Sequence, residues 1–176
     1  MIRYTSGVIC VPMEGTALDR LALPLMTRQN SEAMRTAYTI SVDAKTGVTT
    51  GISAADRART IRLLVDPNTH ADDLVRPGTS SLSDTVREAF CAGRDITEAA
   101  VDLSRLAGLI PAAVLAEVVN DDGTMARLPE LFAFKEKFRL KICSIESLIA
   151  YRRVREKLMR LAILIKSSSA VMTQID

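Results

Sequence analysis

Aromatic side chains are scarce in this chain, only 4% of 176 residues. That argues against base-stacking platforms for nucleic acid. Charge of one sign is lacking too: 23 basic and 21 acidic residues leave a net charge of +2, with no basic stripe along the chain. A phosphate backbone is therefore not the expected partner. Long apolar runs are missing. The greasiest stretch near the C-terminus, Leu161 to Ile165, falls far short of the roughly 20 residues that a membrane-spanning helix needs. The cysteines, Cys10, Cys91 and Cys143, are few, scattered and without metal-ligand spacing. With no secretory signal, such a set fits a reducing cytoplasm. The one histidine, His70, sits in the turn-rich string Asp-Pro-Asn-Thr-His and is expected to be solvated rather than catalytic.

What is present is an ordinary globular balance, 48% hydrophobic and 25% charged, at a length that makes one domain with a real core. Val8 to Met13 is a short apolar run and reads as a strand, as does the alternating, β-branched stretch Thr36 to Asp43. After the glycine-bounded loop Gly47-Val-Thr-Thr-Gly51, Ser53 caps a helix with Asp56 three residues on. Ile61, Leu64 and Val65 form its apolar face, and Asp66-Pro67 stops it. Thr97 caps a second helix, lined by Ala100, Leu103 and Leu106 and closed by Gly108. Ala113 to Val119 reads as a strand, Asn120 to Gly123 as a turn, and Pro129 opens a helix to about Phe138. A short strand, Leu140 to Cys143, precedes a last helix from Ser144. Strands alternating with helices predict an α/β (α+β) domain with a mixed sheet and flanking helices. Thr79 to Asp95 shows neither period, although Ser83 to Phe90 would pass for a short helix.

Four strings are too particular for scaffolding: Arg3-Tyr-Thr-Ser-Gly-Val-Ile-Cys-Val-Pro12, Gly47-Val-Thr-Thr-Gly-Ile-Ser-Ala-Ala-Asp-Arg57, Thr97-Glu-Ala-Ala-Val-Asp-Leu103 and Asn120-Asp-Asp-Gly-Thr-Met-Ala-Arg127. In that order they resemble the 3,4-dihydroxy-2-butanone 4-phosphate synthases of riboflavin biosynthesis, over residues 2 to 158 but not over 79 to 96. Leu148-Ile-Ala-Tyr-Arg-Arg153, with Arg155-Glu-Lys-Leu158 behind it, resembles the junction of bifunctional chains that carry GTP cyclohydrolase II after the synthase. The resemblance implies a partial synthase domain over 1–153, incomplete at its N-terminus, and in 154–176 the remnant of a linker to an absent cyclohydrolase domain.

The resemblance further implies a lyase that converts D-ribulose 5-phosphate to 3,4-dihydroxy-2-butanone 4-phosphate and formate, as a homodimer with Mg2+ (or Mn2+). Such chemistry needs acids and bases beside an oxygen-liganded cation that polarises the carbonyl and hydroxyls. Glu117 matches the family's catalytic glutamate, and an acid in an apolar strand is expected to be buried and functional. Thr97, Thr49, Thr50 and Cys10 match positions that line the sugar phosphate. Each also has a plainer reading: Thr97 as a helix cap, Thr49 and Thr50 as turn residues, Cys10 as a small core residue. No metal ligand carries over. The family's early acidic loop belongs before Met1. Thr79 follows Arg76-Pro-Gly78 where the family has histidine, and Asp95-Ile96-Thr97 stands for its Gly-His-Thr. These losses carry the alternative of a catalytically inactive homologue. Residues 79–96 also read as the family's segment in a shifted frame, because CAC-GTC-TTC-C, encoding His-Val-Phe and the start of Pro, gives Thr-Ser-Ser when started one base late.

Overall fold

The computed structural model describes residues 1–31, 33, 36–84 and 96–155 and divides the chain into two compact units, Met1–Leu140 and Lys141–Asp176. The first unit is built on a three-stranded sheet in the order β1-β3-β2, with β1 at Cys10–Met13, β2 at Val42–Ala44 and β3 at Leu74–Asp84. β1 runs parallel to β3, pairing Cys10 with Ser81 and Met13 with Asp84, whereas β2 runs antiparallel. The mixed sheet is the one expected.

Side chains alternate across a strand, so the register sorts them. Val11, Met13 and Leu82 share one face and join Leu18, Leu21, Leu23, Val42, Leu64 and Leu74 in the core. Cys10, Ser81, Ser83 and Thr79 fall on the other. The core face carries the burial energy, at roughly 25 cal/mol per Å2 of apolar surface.

The helices cover and frame this sheet. After two short ones, α1 (Ile2–Thr5) and α2 (Gly15–Arg20), comes α3 (Ala54–Val65). Ser53 caps it as expected, Oγ accepting from Asp56 N at 3.0 Å. Its buried residues Asp56, Thr60 and Leu64 recur every four positions, one helical face. Thr60 Oγ1 accepts the Ala44 amide at 2.9 Å, which staples α3 to β2. α4 (Ile96–Leu106) ends as its glycine predicts. Gly108 N donates to Arg105 O at 3.0 Å and Leu109 N to Ser104 O at 2.9 Å, the paired bonds of a left-handed C-terminal cap. α5 (Leu128–Phe138) has Pro129 in its first turn. Glu130 Oε2 takes the Arg127 amide at 2.9 Å. In the second unit, a helix begins at 145 and is described through 155, with Ser144 Oγ accepting from Ser147 N at 3.1 Å.

Several expectations change. The strand read over Thr36–Asp43 is a ladder only at Val42–Ala44, preceded by single bridges from Tyr38 to Ser83 and from Leu25 to Thr39. Ala113–Val119 is pinned to the N-terminal segment at intervals rather than continuously, through Met13–Ala112, Cys10–Leu115 and Ser6–Val118. Pro12, which has no amide hydrogen, lies in the middle of that stretch and offers only its carbonyl, to Ala113 N at 3.2 Å. No strand forms at 140–143. Ser83 and Asp84, read as the start of a short helix, are the end of β3. The rest of that reading, 85–90, and the aperiodic stretch 85–95 lie outside the described residues. Thr97 is not a cap, since it stands inside α4 behind Ile96.

Candidate functional site

The face of the sheet opposite the core is lined with hydroxyls and one thiol. Cys10, half-buried at the start of β1, points its Sγ to Ser83 Oγ at 3.5 Å. Ser81 lies beside Cys10 across the parallel ladder, and Thr79 stands two residues further back on β3. This is a polar strip on a central strand, where an apolar run would be usual.

At the Thr79 end the strip meets the Gly47–Gly51 loop through two buried carboxylates. Asp43 accepts from Thr79 N and Thr79 Oγ1, both at 2.9 Å, and Thr79 Oγ1 also lies 2.7 Å from Gly51 O. Asp56 accepts from Thr49 Oγ1 at 2.7 Å and from Gly51 N at 3.2 Å, both through Oδ2. Gly51 is thus held by its amide on one side and its carbonyl on the other. Its φ of +82° suits glycine, and an added Cβ would overlap Asp43 Oδ2. The Thr49 hydroxyl, more than any other group, holds the Asp56 carboxyl below its ordinary pKa.

Beyond Cys10 lies the acid. Glu117, on the segment bridged to β1, has its Oε2 2.9 Å from the Val8 amide. It is exposed, which corrects the expectation of burial. The segment faces β1 from its outer edge, and the carboxylate reaches across to the N-terminal backbone instead of inward. Thr97 is buried in the first turn of α4, while Thr49 and Thr50 are exposed in their loop. Cys10 and Glu117 therefore stand on adjoining segments, the loop of Thr49 and Thr50 is tied through Gly51 and Thr79 to β3, the strand paired with β1, and Thr97 comes from the helix that packs on β1. His70 is exposed, its amide bound to Asp73.

Sequence reasoning missed Asp43 and saw Asp56 only as a capping acid. The usable signal was an aspartate inside the apolar string Ile40-Ser-Val-Asp-Ala44, since a carboxylate buried in a strand must be bonded. The described residues do not assemble a ready-made protein cage for a divalent ion. Among the described residues no three His, Cys, Asp or Glu side chains come together, and Glu117 Oε2 is taken by Val8.

The first unit is thus a mixed-sheet α+β domain with a hydroxyl-rich strip on β3 and one exposed carboxylate on the segment beside β1. The family model for 3,4-dihydroxy-2-butanone 4-phosphate synthase matches residues 1–151, and the chain belongs to that family. It is 53% identical to a riboflavin biosynthesis protein RibBA of Salinispora arenicola, over 89% of this chain and 37% of that protein. To a 3,4-dihydroxy-2-butanone 4-phosphate synthase of Neisseria meningitidis serogroup A it is 46% identical, over 90% of this chain and 44% of that one. The chain thus spans about two fifths of the length of these curated relatives. A synthase of Agrobacterium fabrum, 47% identical over 86% of this chain, is matched over 71% of its length. Among solved structures, a synthase in complex with two magnesium ions superimposes with a TM-score of 0.83 at 40% identity, over 89% of this chain and 78% of that one. The Candida albicans enzyme gives 0.77 at 44%, over 85% of this chain and 74% of that one.

Proposed function

We propose that this chain carries the synthase activity of its family, cleaving D-ribulose 5-phosphate to 3,4-dihydroxy-2-butanone 4-phosphate and formate in the cytoplasm. The observation that carries the reading is Glu117, an exposed carboxylate held by one oxygen. Val8 donates to Oε2, and Oε1 has no bond among the described residues, so it is open for proton transfer. The reaction begins by enolisation, which needs a base at the carbon beside the carbonyl and an acid to return the proton. One positioned carboxylate serves both steps in turn. The two products together contain every atom of the substrate, so no oxidant, reductant or water is consumed. Thr49, Thr50, Thr97 and Cys10 supply the substrate-lining groups. In the family the cation is Mg2+ (or Mn2+), which polarises the carbonyl and hydroxyls. The described residues do not assemble its ligands, so no step here is assigned to it.

We further propose a homodimer, for which the exposed Leu103, Leu106, Leu109 and Ile110 of the first unit are a suitable apolar surface. Residues 154–176 we assign as a linker of the kind that joins the synthase to a cyclohydrolase domain in bifunctional chains.

Formate release from D-ribulose 5-phosphate with magnesium tests the main reading. The parent protein is expected to release formate, and Glu117→Gln to lower the rate by roughly 10²- to 10⁴-fold. No formate from the parent would favour the second reading, a catalytically inactive homologue. Thr79, spent on Asp43, and Ile96, 60% exposed in α4, are the observations behind it, because neither side chain takes up and releases a proton near neutral pH as an imidazole does.

A further inference from the structure

We propose that Asp56 fixes Thr49 as a hydrogen-bond acceptor toward the substrate, so that this corner of the site takes a sugar hydroxyl and rejects a phosphate oxygen. The inference rests on the reading of Thr49 as a substrate residue and goes further, assigning which end of the substrate it meets. A threonine hydroxyl has one hydrogen and two lone pairs. Thr49 gives its hydrogen to Asp56 Oδ2 at 2.7 Å. An ionised carboxylate has no hydrogen to return, and this one cannot turn away. It is 6% exposed, its Oδ2 also takes the Gly51 amide at 3.2 Å, and its own amide is tied to Ser53 Oγ at 3.0 Å. The same bonds keep its pKa low, so it stays ionised at neutral pH.

Thr49 is exposed, and what it offers outward is lone pairs. A group that reaches it must bring a hydrogen. A ketose hydroxyl does so, whereas a phosphate dianion brings none and meets a carboxylate directly behind the hydroxyl. Thr50, next in the loop, is also exposed, and its hydroxyl has no partner among the described residues. It keeps its hydrogen and is the loop's donor for an anionic oxygen. The two adjacent threonines thereby divide the work, one reading the carbon chain and the other the phosphate.

Calorimetric titration of the full chain with D-ribulose 5-phosphate, and separately with inorganic phosphate, tests this in the parent, Thr49→Val and Asp56→Asn. The asparagine amide can donate, which removes the constraint on Thr49, while Thr49→Val leaves Asp56 and its helix cap in place. Each substitution is expected to weaken the sugar phosphate about tenfold, the worth of one such hydrogen bond, and to leave inorganic phosphate within about twofold. An NMR readout needs no ligand: the Thr49 hydroxyl proton should exchange slowly in the parent and not in Asp56→Asn. Equal weakening of both ligands would place the phosphate on Thr49 and overturn the inference. So would unchanged sugar-phosphate affinity in both variants, or a rapidly exchanging Thr49 hydroxyl in the parent. A parent that binds neither ligand brings down the substrate reading itself, and the inference with it.

Discussion

At the scale of single residues, Thr60 shows how much rests on one hydroxyl. It is fully buried, and its Oγ1 is the acceptor for the Ala44 amide. Thr60→Val keeps the shape and deletes the acceptor, leaving a buried amide unsatisfied. Urea denaturation should show a loss of about 1–3 kcal/mol. Asp56 gives a prediction in pH. Its folded pKa is lowered, chiefly by the Thr49 hydroxyl, so the native state favours the ionised form. That contribution is complete above the unfolded carboxyl pKa of about 4 and is lost as pH falls through the lower folded value. Urea midpoints measured from neutral to acid pH should fall less steeply below about pH 4 in Asp56→Asn than in the parent. Residues of this kind are only half legible in a sequence. The Ser53 cap could be read because both partners lie within one turn. The Thr79–Asp43 contact joins residues 36 apart, and Glu117 is exposed because of where its segment lies, which no local pattern encodes.

At the scale of elements, two glycines with the same backbone demand separate two kinds of cost. Gly108 has φ +73° and nothing within 4 Å of where a methyl carbon would stand, whereas Gly51 has φ +82° with Asp43 and Thr79 against it. Gly108→Ala should cost about 1 kcal/mol, the left-handed penalty alone. Gly51→Ala should cost at least about twice that in the same thermal or urea titration, since the Asp43 clamp must also open. The helices α3 and α5 were legible because caps, prolines and four-residue periodicity are local signals. α4 was legible mainly by its closing glycine: Thr97 is not its cap, and Leu103 and Leu106, read as its buried side, are exposed while Val101 is buried. The strands were less so. Residues 113–119 look like a continuous strand by composition, yet Pro12 opposite them withholds an amide. The end of β3 was illegible for a different reason. Thr79-Ser-Ser-Leu-Ser-Asp84 has the composition of a loop, and only its position between β1 and β2 makes it a strand, a case of tertiary context overriding propensity.

At the scale of the whole molecule, the sheet depends on its middle strand. Leu82 is the fully buried side chain that β3 gives to the core near β1. Leu82→Ala should destabilise by about 2–5 kcal/mol, a large part of the roughly 5–15 kcal/mol such domains possess. If the homodimer forms, sedimentation equilibrium should return about twice the 19.2 kDa of one chain, and Leu106→Glu with Ile110→Glu should return the single mass. The fold class and the family were legible because motif order survives local change. The site was legible only in part, since its carboxylate clamp depends on strand pairing.

The hydroxyls of β3 also leave a thermal signature. A strand that hides serine and threonine instead of hydrocarbon adds little to the heat capacity released on unfolding, because wetting polar surface lowers that quantity while wetting apolar surface raises it. The curve of free energy against temperature should accordingly be broader than a hydrocarbon-filled sheet would give, and cooling should loosen this domain less than heating does.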